Sequence, residues 1–161
     1  MDRLILVIDK IERYLTYLTS VMIILLTTVI SAQIFFRYVL NTGVFWLQEL
    51  SVIMMMWIVF LGASGAVWDN RHIGLNFVVD SLPAGVTIWV RVLSDLIIAI
   101  FSILFFNYGL TMTLKTGGTL SALRIPIGFT YAIIPVTAVL MALFAIINLI
   151  NRIRLYYLNE D

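Results

Sequence analysis

The residues of this chain that could perform acid–base or metal chemistry are few. His72 is the single histidine, and Arg71 and Asp80 lie nearby in the sequence. We expect these three residues to form a polar cluster in a loop rather than a metal site, because no second strong ligand has suitable spacing. Asp95 lies in an apolar segment, one helical turn after Arg91. A carboxylate in such a segment is either a proton or ion relay or a structural partner of the neighbouring arginine.

Other catalytic arrangements are absent from the sequence. It contains no cysteine, no serine–histidine–acid arrangement and no glycine-rich phosphate loop. Charged residues make up 12% of the chain, against about 25% in an ordinary soluble domain. The net charge of +1 comes with no basic patch large enough for nucleic acid. We therefore expect neither an enzyme site, nor a cofactor, nor nucleic-acid binding.

The elements that position these residues are long uncharged stretches, each of 19 residues or more. An α-helix needs about 20 mostly apolar residues to cross a bilayer. The sequence predicts an all-α membrane protein with one domain, 1–161, and four transmembrane helices. Their predicted bounds are about 14–37, 47–68, 88–114 and 126–150. Pro126 is expected to open the last span and Pro135 to kink it.

Two shorter segments combine apolar and charged residues. Residues 2–13 place their apolar side chains on one helical face, which is typical of a helix in the membrane interface, with a solvated tail as the alternative. Residues 70–82, ahead of Pro83, are a second candidate interfacial helix. Seven lysines and arginines fall on the side of the termini and three on the other. Basic residues are retained inside, so both termini are predicted to be cytoplasmic.

Polar and small residues near the span ends suggest contacts. Arg37 and Glu49 flank a tight turn and form either a salt bridge or two independent side chains that reach towards the interface. Gly62 and Ala66 have the four-residue spacing that lets helices approach closely, within this chain or against another subunit.

The order of several short motifs resembles the small membrane subunit, of DctQ type, of tripartite ATP-independent periplasmic (TRAP) transporters. The motifs are Arg37-Tyr-Val-Leu, Trp46-Leu-Gln-Glu49-Leu, the run from Trp57 to Ala66, His72-Ile, Asp80-Ser-Leu-Pro83 and Ser121-Ala-Leu-Arg-Ile-Pro126. The chain departs from the family pattern at Gln48, where an acidic residue is common, and at Gly74 and Asn76, where a basic residue and an aspartate are common.

The resemblance implies an accessory subunit in a cytoplasmic (inner) membrane. Its partners would be membrane lipids, a large multi-span subunit of DctM type that binds sodium and substrate, and a periplasmic binding protein that delivers an organic anion such as a C4-dicarboxylate or a sialic acid. The small subunit would brace the large one. Its candidate structural or interface residues are Arg37, Trp46, Glu49, Gly62, Ala66, Arg71, His72 and Asp80. Trp46, Lys115 and Arg124 are its candidate docking residues on the periplasmic side.

Two other classes of protein remain as alternatives. A self-sufficient four-helix transporter needs a membrane-embedded carboxylate, for which Asp95 is the sole candidate. A haem-binding membrane anchor is disfavoured because the single histidine cannot provide two axial ligands.

Overall fold

The computed structural model of the protein describes residues 2–68 and 84–158. Five helices follow one another in this part of the chain: α1 (Asp2–Tyr38), α2 (Phe45–Trp68), α3 (Ala84–Lys115), α4 (Ile127–Tyr131) and α5 (Ile133–Leu158). Within the same residues, four segments are long and apolar enough to cross a membrane: Leu6–Tyr38, Phe45–Trp68, Trp89–Lys115 and Ile127–Arg154. The predicted all-α, four-span fold is confirmed.

The first helix is longer than the sequence analysis predicted. Residues 2–13 do not form a separate interfacial helix, because α1 runs without a break from Asp2 to Tyr38. Neither glycine nor proline occurs in this stretch, so nothing interrupts its hydrogen-bond ladder. Ile8 and Leu15, from the apolar face assigned to the interface, are instead buried in the protein core. The second candidate interfacial helix, 70–82, lies outside the described residues.

The long helices are arranged in a row. The main packing contacts join α1 to α2, α2 to α5, and α5 to α3, so α1 and α3 lie at the two edges. Burial follows this order, because 28% and 39% of the most apolar windows of α2 and α5 are buried, against 0% and 11% for α1 and α3. The edge helices therefore expose apolar surface along most of their length. We call the end of the row where α1 begins and α5 ends the termini end, and the opposite end the far end.

The last span is interrupted near its start. Pro126 precedes α4, and the short helix ends at Tyr131 before α5 begins at Ile133. Pro135 has no N–H with which to bond the carbonyl four residues earlier, at Tyr131, and its ring crowds that carbonyl. The interruption thus lies one turn ahead of the proline, which is where the expected kink should be.

Two glycines let α3 approach this interrupted span closely. A Cβ at Gly109 would lie 2.6 Å from Cγ2 of Ile134, and a Cβ at Gly128 would collide with the carbonyl oxygen of Thr113. Packing inside the chain therefore accounts for both glycines.

Candidate functional site

The loop between α3 and α4, residues 116–126, folds into a compact turn at the far end. Its ends meet through an antiparallel bridge between Thr119 and Pro126. Within the turn, the N–H of Leu120 donates to the carbonyl of Ile125 at 2.9 Å, and the N–H of Arg124 donates to the carbonyl of Leu120 at 3.0 Å. Arg124 has a φ of 55°, which side-chain-bearing residues seldom adopt. The loop therefore needs support from outside its own backbone.

Glu49 of α2 provides that support. Its carboxylate accepts the N–H of Ala122 at 3.1 and 3.0 Å through its two oxygens, and the N–H of Leu123 at 2.9 Å through Oε2. Hydrogen bonds to an ionised acceptor are stronger than those between neutral groups. We call this contact the loop clamp. It ties α2 to the loop that joins the last two spans, although the partners are more than 70 positions apart in the sequence.

The proposed alternative of a salt bridge between Arg37 and Glu49 is wrong. The partners of Glu49 are the loop amides, and the exposed guanidinium of Arg37 lies 5.8 Å from the ring centroid of Tyr38. The turn orients two N–H groups towards a single carboxylate. Arg37, at the last turn of α1, is exposed, which agrees with the alternative of an independent side chain that reaches towards the interface.

The far end carries an excess of exposed positive charge. Residues 37–50 and 114–127, which form this end, contain three cationic side chains and a single acidic one, Glu49. Arg37, Lys115 and Arg124 are all exposed, whereas the carboxylate of Glu49 is held by the loop. Trp46, a candidate docking residue, is 47% exposed at the same end. The structure thus brings the three candidate docking residues to one end of the row, around the loop clamp.

A buried ion pair lies towards the termini end. Asp95 of α3 pairs with Arg152 of α5, with Nε and Oδ2 3.0 Å apart and side-chain exposures of 5% and 16%. From the sequence, Asp95 was expected to be either a proton or ion relay or a structural partner of Arg91, and the contact with the neighbouring helix was not predicted. The charge of Asp95 is therefore balanced across a helix–helix interface, as expected for a structural carboxylate.

Two further polar contacts hold the last turn of α2. The side-chain amide of Asn148 donates to the carbonyl of Val67 at 3.0 Å, which satisfies one of the carbonyls that a helix end leaves unpaired. The indole N–H of Trp68 donates to the carboxylate of Asp9 at 2.8 Å. Hydropathy gives no signal for either contact, since each joins residues far apart in the sequence.

Gly62 and Ala66 line a cavity of about 230 Å³ between α1 and α2. On α2 its wall is formed by Leu61 and by small residues that include Gly65, and on α1 by polar side chains that include Glu12, Thr16 and Ser20. The small residues therefore leave a groove open beside α1 instead of closing the contact between the two helices. The remaining candidate residues, Arg71, His72 and Asp80, lie outside the described part of the chain.

The sequence of this chain is similar to those of known membrane transport proteins. A family profile described as "Tripartite ATP-independent periplasmic transporters, DctQ component" matches residues 26–155. The putative TRAP transporter small permease protein of Haemophilus influenzae strain KW20 is 24% identical over 153 residues, which cover 93% of this chain and 94% of that protein.

Two other relatives carry the name of a substrate. The C4-dicarboxylate TRAP transporter small permease protein DctQ of Vibrio cholerae is 34% identical over 76 residues, or 47% of this chain and 32% of that protein. The sialic acid TRAP transporter permease protein SiaT of Haemophilus influenzae strain 86-028NP is 25% identical over 135 residues. That match covers 83% of this chain, which spans 21% of the longer SiaT protein.

Proposed function

This chain belongs to the DctQ-component family of tripartite ATP-independent periplasmic transporters, and from that premise we propose that it braces the large membrane subunit of a sodium-coupled importer. The family is one of transporter membrane subunits, not enzymes. The observation that carries the proposal is the row of four spans in which 0% and 11% of the most apolar windows of the two edge helices are buried. A second helical bundle would cover one face of such a row.

The cargo and its coupling ion would bind to other chains. In the described residues, Asp95 is paired with Arg152, which disfavours the self-sufficient transporter that would need a free carboxylate. We assign sodium and substrate sites to a large subunit of DctM type. The relatives named for sialic acid and for C4-dicarboxylates suggest an organic anion as the cargo.

The far end would be the docking side for a periplasmic substrate-binding protein. The excess of lysine and arginine on the side of the termini supports cytoplasmic termini in the inner membrane, and with that orientation the loop clamp would lie in the periplasm. Lys115, Arg124 and Trp46 are exposed there. A binding protein with an acidic rim would be attracted to this surface, and the attraction would weaken as salt rises.

Reconstitution tests the proposal. The tagged chain is extracted in mild detergent, and the proteins that co-purify are identified by mass spectrometry. We expect a large multi-span subunit at equal stoichiometry, and uptake in proteoliposomes only when both membrane subunits, the binding protein and an inward sodium gradient are present. Isolation of this chain as a stable homo-oligomer that transports substrate unaided would refute the proposal.

A further inference from the structure

The groove between α1 and α2 is not explained by packing within this chain. A Cβ at Gly65 would meet no atom within 4 Å, and a Cβ at Gly62 would meet only Cγ2 of Thr19, at 4.0 Å. Gly109 and Gly128, in contrast, are required by atoms of the same chain. Glycine weakens a helix interior relative to alanine. Two glycines that the fold itself does not require indicate that something outside the chain approaches α2 here.

The opposite wall of the groove is polar. Thr16 donates a hydrogen bond to Glu12 at 2.8 Å, and Ser20 bonds the carbonyl of Thr16 on its own helix. Among the described side chains, none bearing a positive charge lies within ion-pair distance of Glu12. A carboxylate and two hydroxyls at the start of a span are unfavourable in contact with lipid tails and favourable in a helix–helix interface. The carboxylate also sets the sign of the occupant's charge.

We propose that a transmembrane helix of the large subunit occupies this groove and places a lysine or arginine beside Glu12. This inference rests on the proposed function and adds the face of contact. Small residues on α2 allow the backbone of the incoming helix to approach closely, which lets the incoming helix bond the hydroxyls of α1. A lipid tail could fill the same space, but it has no donor for the carboxylate of Glu12 or for the hydroxyls of α1.

Filling the groove tests the inference in the intact complex. A Cβ at Gly65 meets no atom within 4 Å and the residue lines the groove, so we expect the isolated Gly65→Leu subunit to keep its helicity and remain monodisperse. Against the large subunit the same side chain is an obstruction, and we expect about a tenfold loss of complex at limiting concentration. Ala63→Leu is the matched control, since it adds the same side chain at an exposed position of α2 that does not line the groove.

Charge gives a second readout. Glu12→Arg should weaken assembly more than Glu12→Gln, because it brings a positive charge to face the basic residue of the incoming helix. Equal yields of complex from both variants and the unmodified chain would overturn the charge assignment.

A crosslinking measurement keeps the inference testable even if Gly65→Leu does not fold. The chain lacks cysteine, so Ser20→Cys can be labelled with a benzophenone maleimide at one position. Irradiation should crosslink it to the large subunit more efficiently than Leu25→Cys, whose exposed side chain points about 140° away around α1. Equal crosslinking from Ser20→Cys and Leu25→Cys would overturn the inference. It would also be overturned if Gly65→Leu assembled normally with the large subunit but lost a bound phospholipid, because a lipid would then be the occupant of the groove. Failure of the unmodified chain to bind any large subunit would instead overturn the proposed function.

Discussion

Removal of the Glu49 carboxylate should release the loop 116–126 from the end of α2. Glu49→Ala leaves the N–H groups of Ala122 and Leu123 without their acceptor. A hydrogen bond to a charged group contributes about 1.5–3 kcal/mol when it is well sheltered. Because Ala122 is exposed and water can replace part of the contact, we expect about 1.5–3 kcal/mol for both amides together. That corresponds to about a 10- to 100-fold increase in local opening.

Amide hydrogen exchange in a lipid nanodisc measures this opening directly. The exchange of Ala122 and Leu123 should accelerate by that factor in Glu49→Ala and by less in Glu49→Gln, whose side chain keeps one carbonyl oxygen. Gln48→Ala, at the exposed neighbouring position, is the control and should change nothing. The N–H of Thr116, which bonds the carbonyl of Met112 at 3.0 Å, is an internal reference. Unchanged exchange in Glu49→Ala would refute the loop clamp as the support of this turn.

Two further substitutions probe the packing of α3. Gly128→Ala should lower the free energy of unfolding by about 1–3 kcal/mol in a thermal melt, because its Cβ would meet the rigid backbone of α3. Gly117→Ala, with open space around it, is the control and should leave the melt unchanged. Asp95→Asn should destabilise the chain by about 3 kcal/mol, because it leaves the mostly buried Arg152 without its carboxylate. The double variant Asp95→Asn with Arg152→Gln should lose less free energy of unfolding than the sum of the losses in the two single variants. Losses that simply add in this double-mutant cycle would contradict a direct pair.

The four spans could be predicted from the sequence because the membrane imposes one dominant rule. Each uncharged stretch must form a helix, since backbone groups in lipid have no other partners. Length and composition then fix the spans, and prolines fix the interruption before α5. The separate helix over 2–13 was the exception. Its alternation of charge and apolar residues is typical of an interfacial helix, yet the same apolar face, with Ile8 and Leu15, serves equally well to pack against α2.

The lateral order of the helices and the partners of polar residues could not be predicted. In lipid, apolar side chains that face a neighbouring helix and those that face acyl chains are alike, so hydropathy does not indicate which helices touch. Glu49 was identified as important from its position and from the family pattern, but its partners are backbone amides, which carry no sequence signature. Asp95 was matched with Arg91 because only the local helix could be considered, whereas Asp95 also forms an ion pair with Arg152 of α5.

Polar contacts at the termini end specify the order that apolar packing leaves open. In the described part of the chain, a directional contact joins the helices of each packed pair: Asp9 with Trp68 for α1–α2, Asn148 with Val67 for α2–α5, and Asp95 with Arg152 for α3–α5. A row with two helices exchanged would separate these partners and leave a carboxylate or an amide unpaired near lipid, which costs more than the loss of equivalent apolar contacts. The loop clamp adds the corresponding constraint at the far end, between α2 and the loop before α4. With both ends fixed in this way, the middle of the row needs no polar contact of its own. Apolar packing in the middle of the row can therefore vary without any change in the order of the helices.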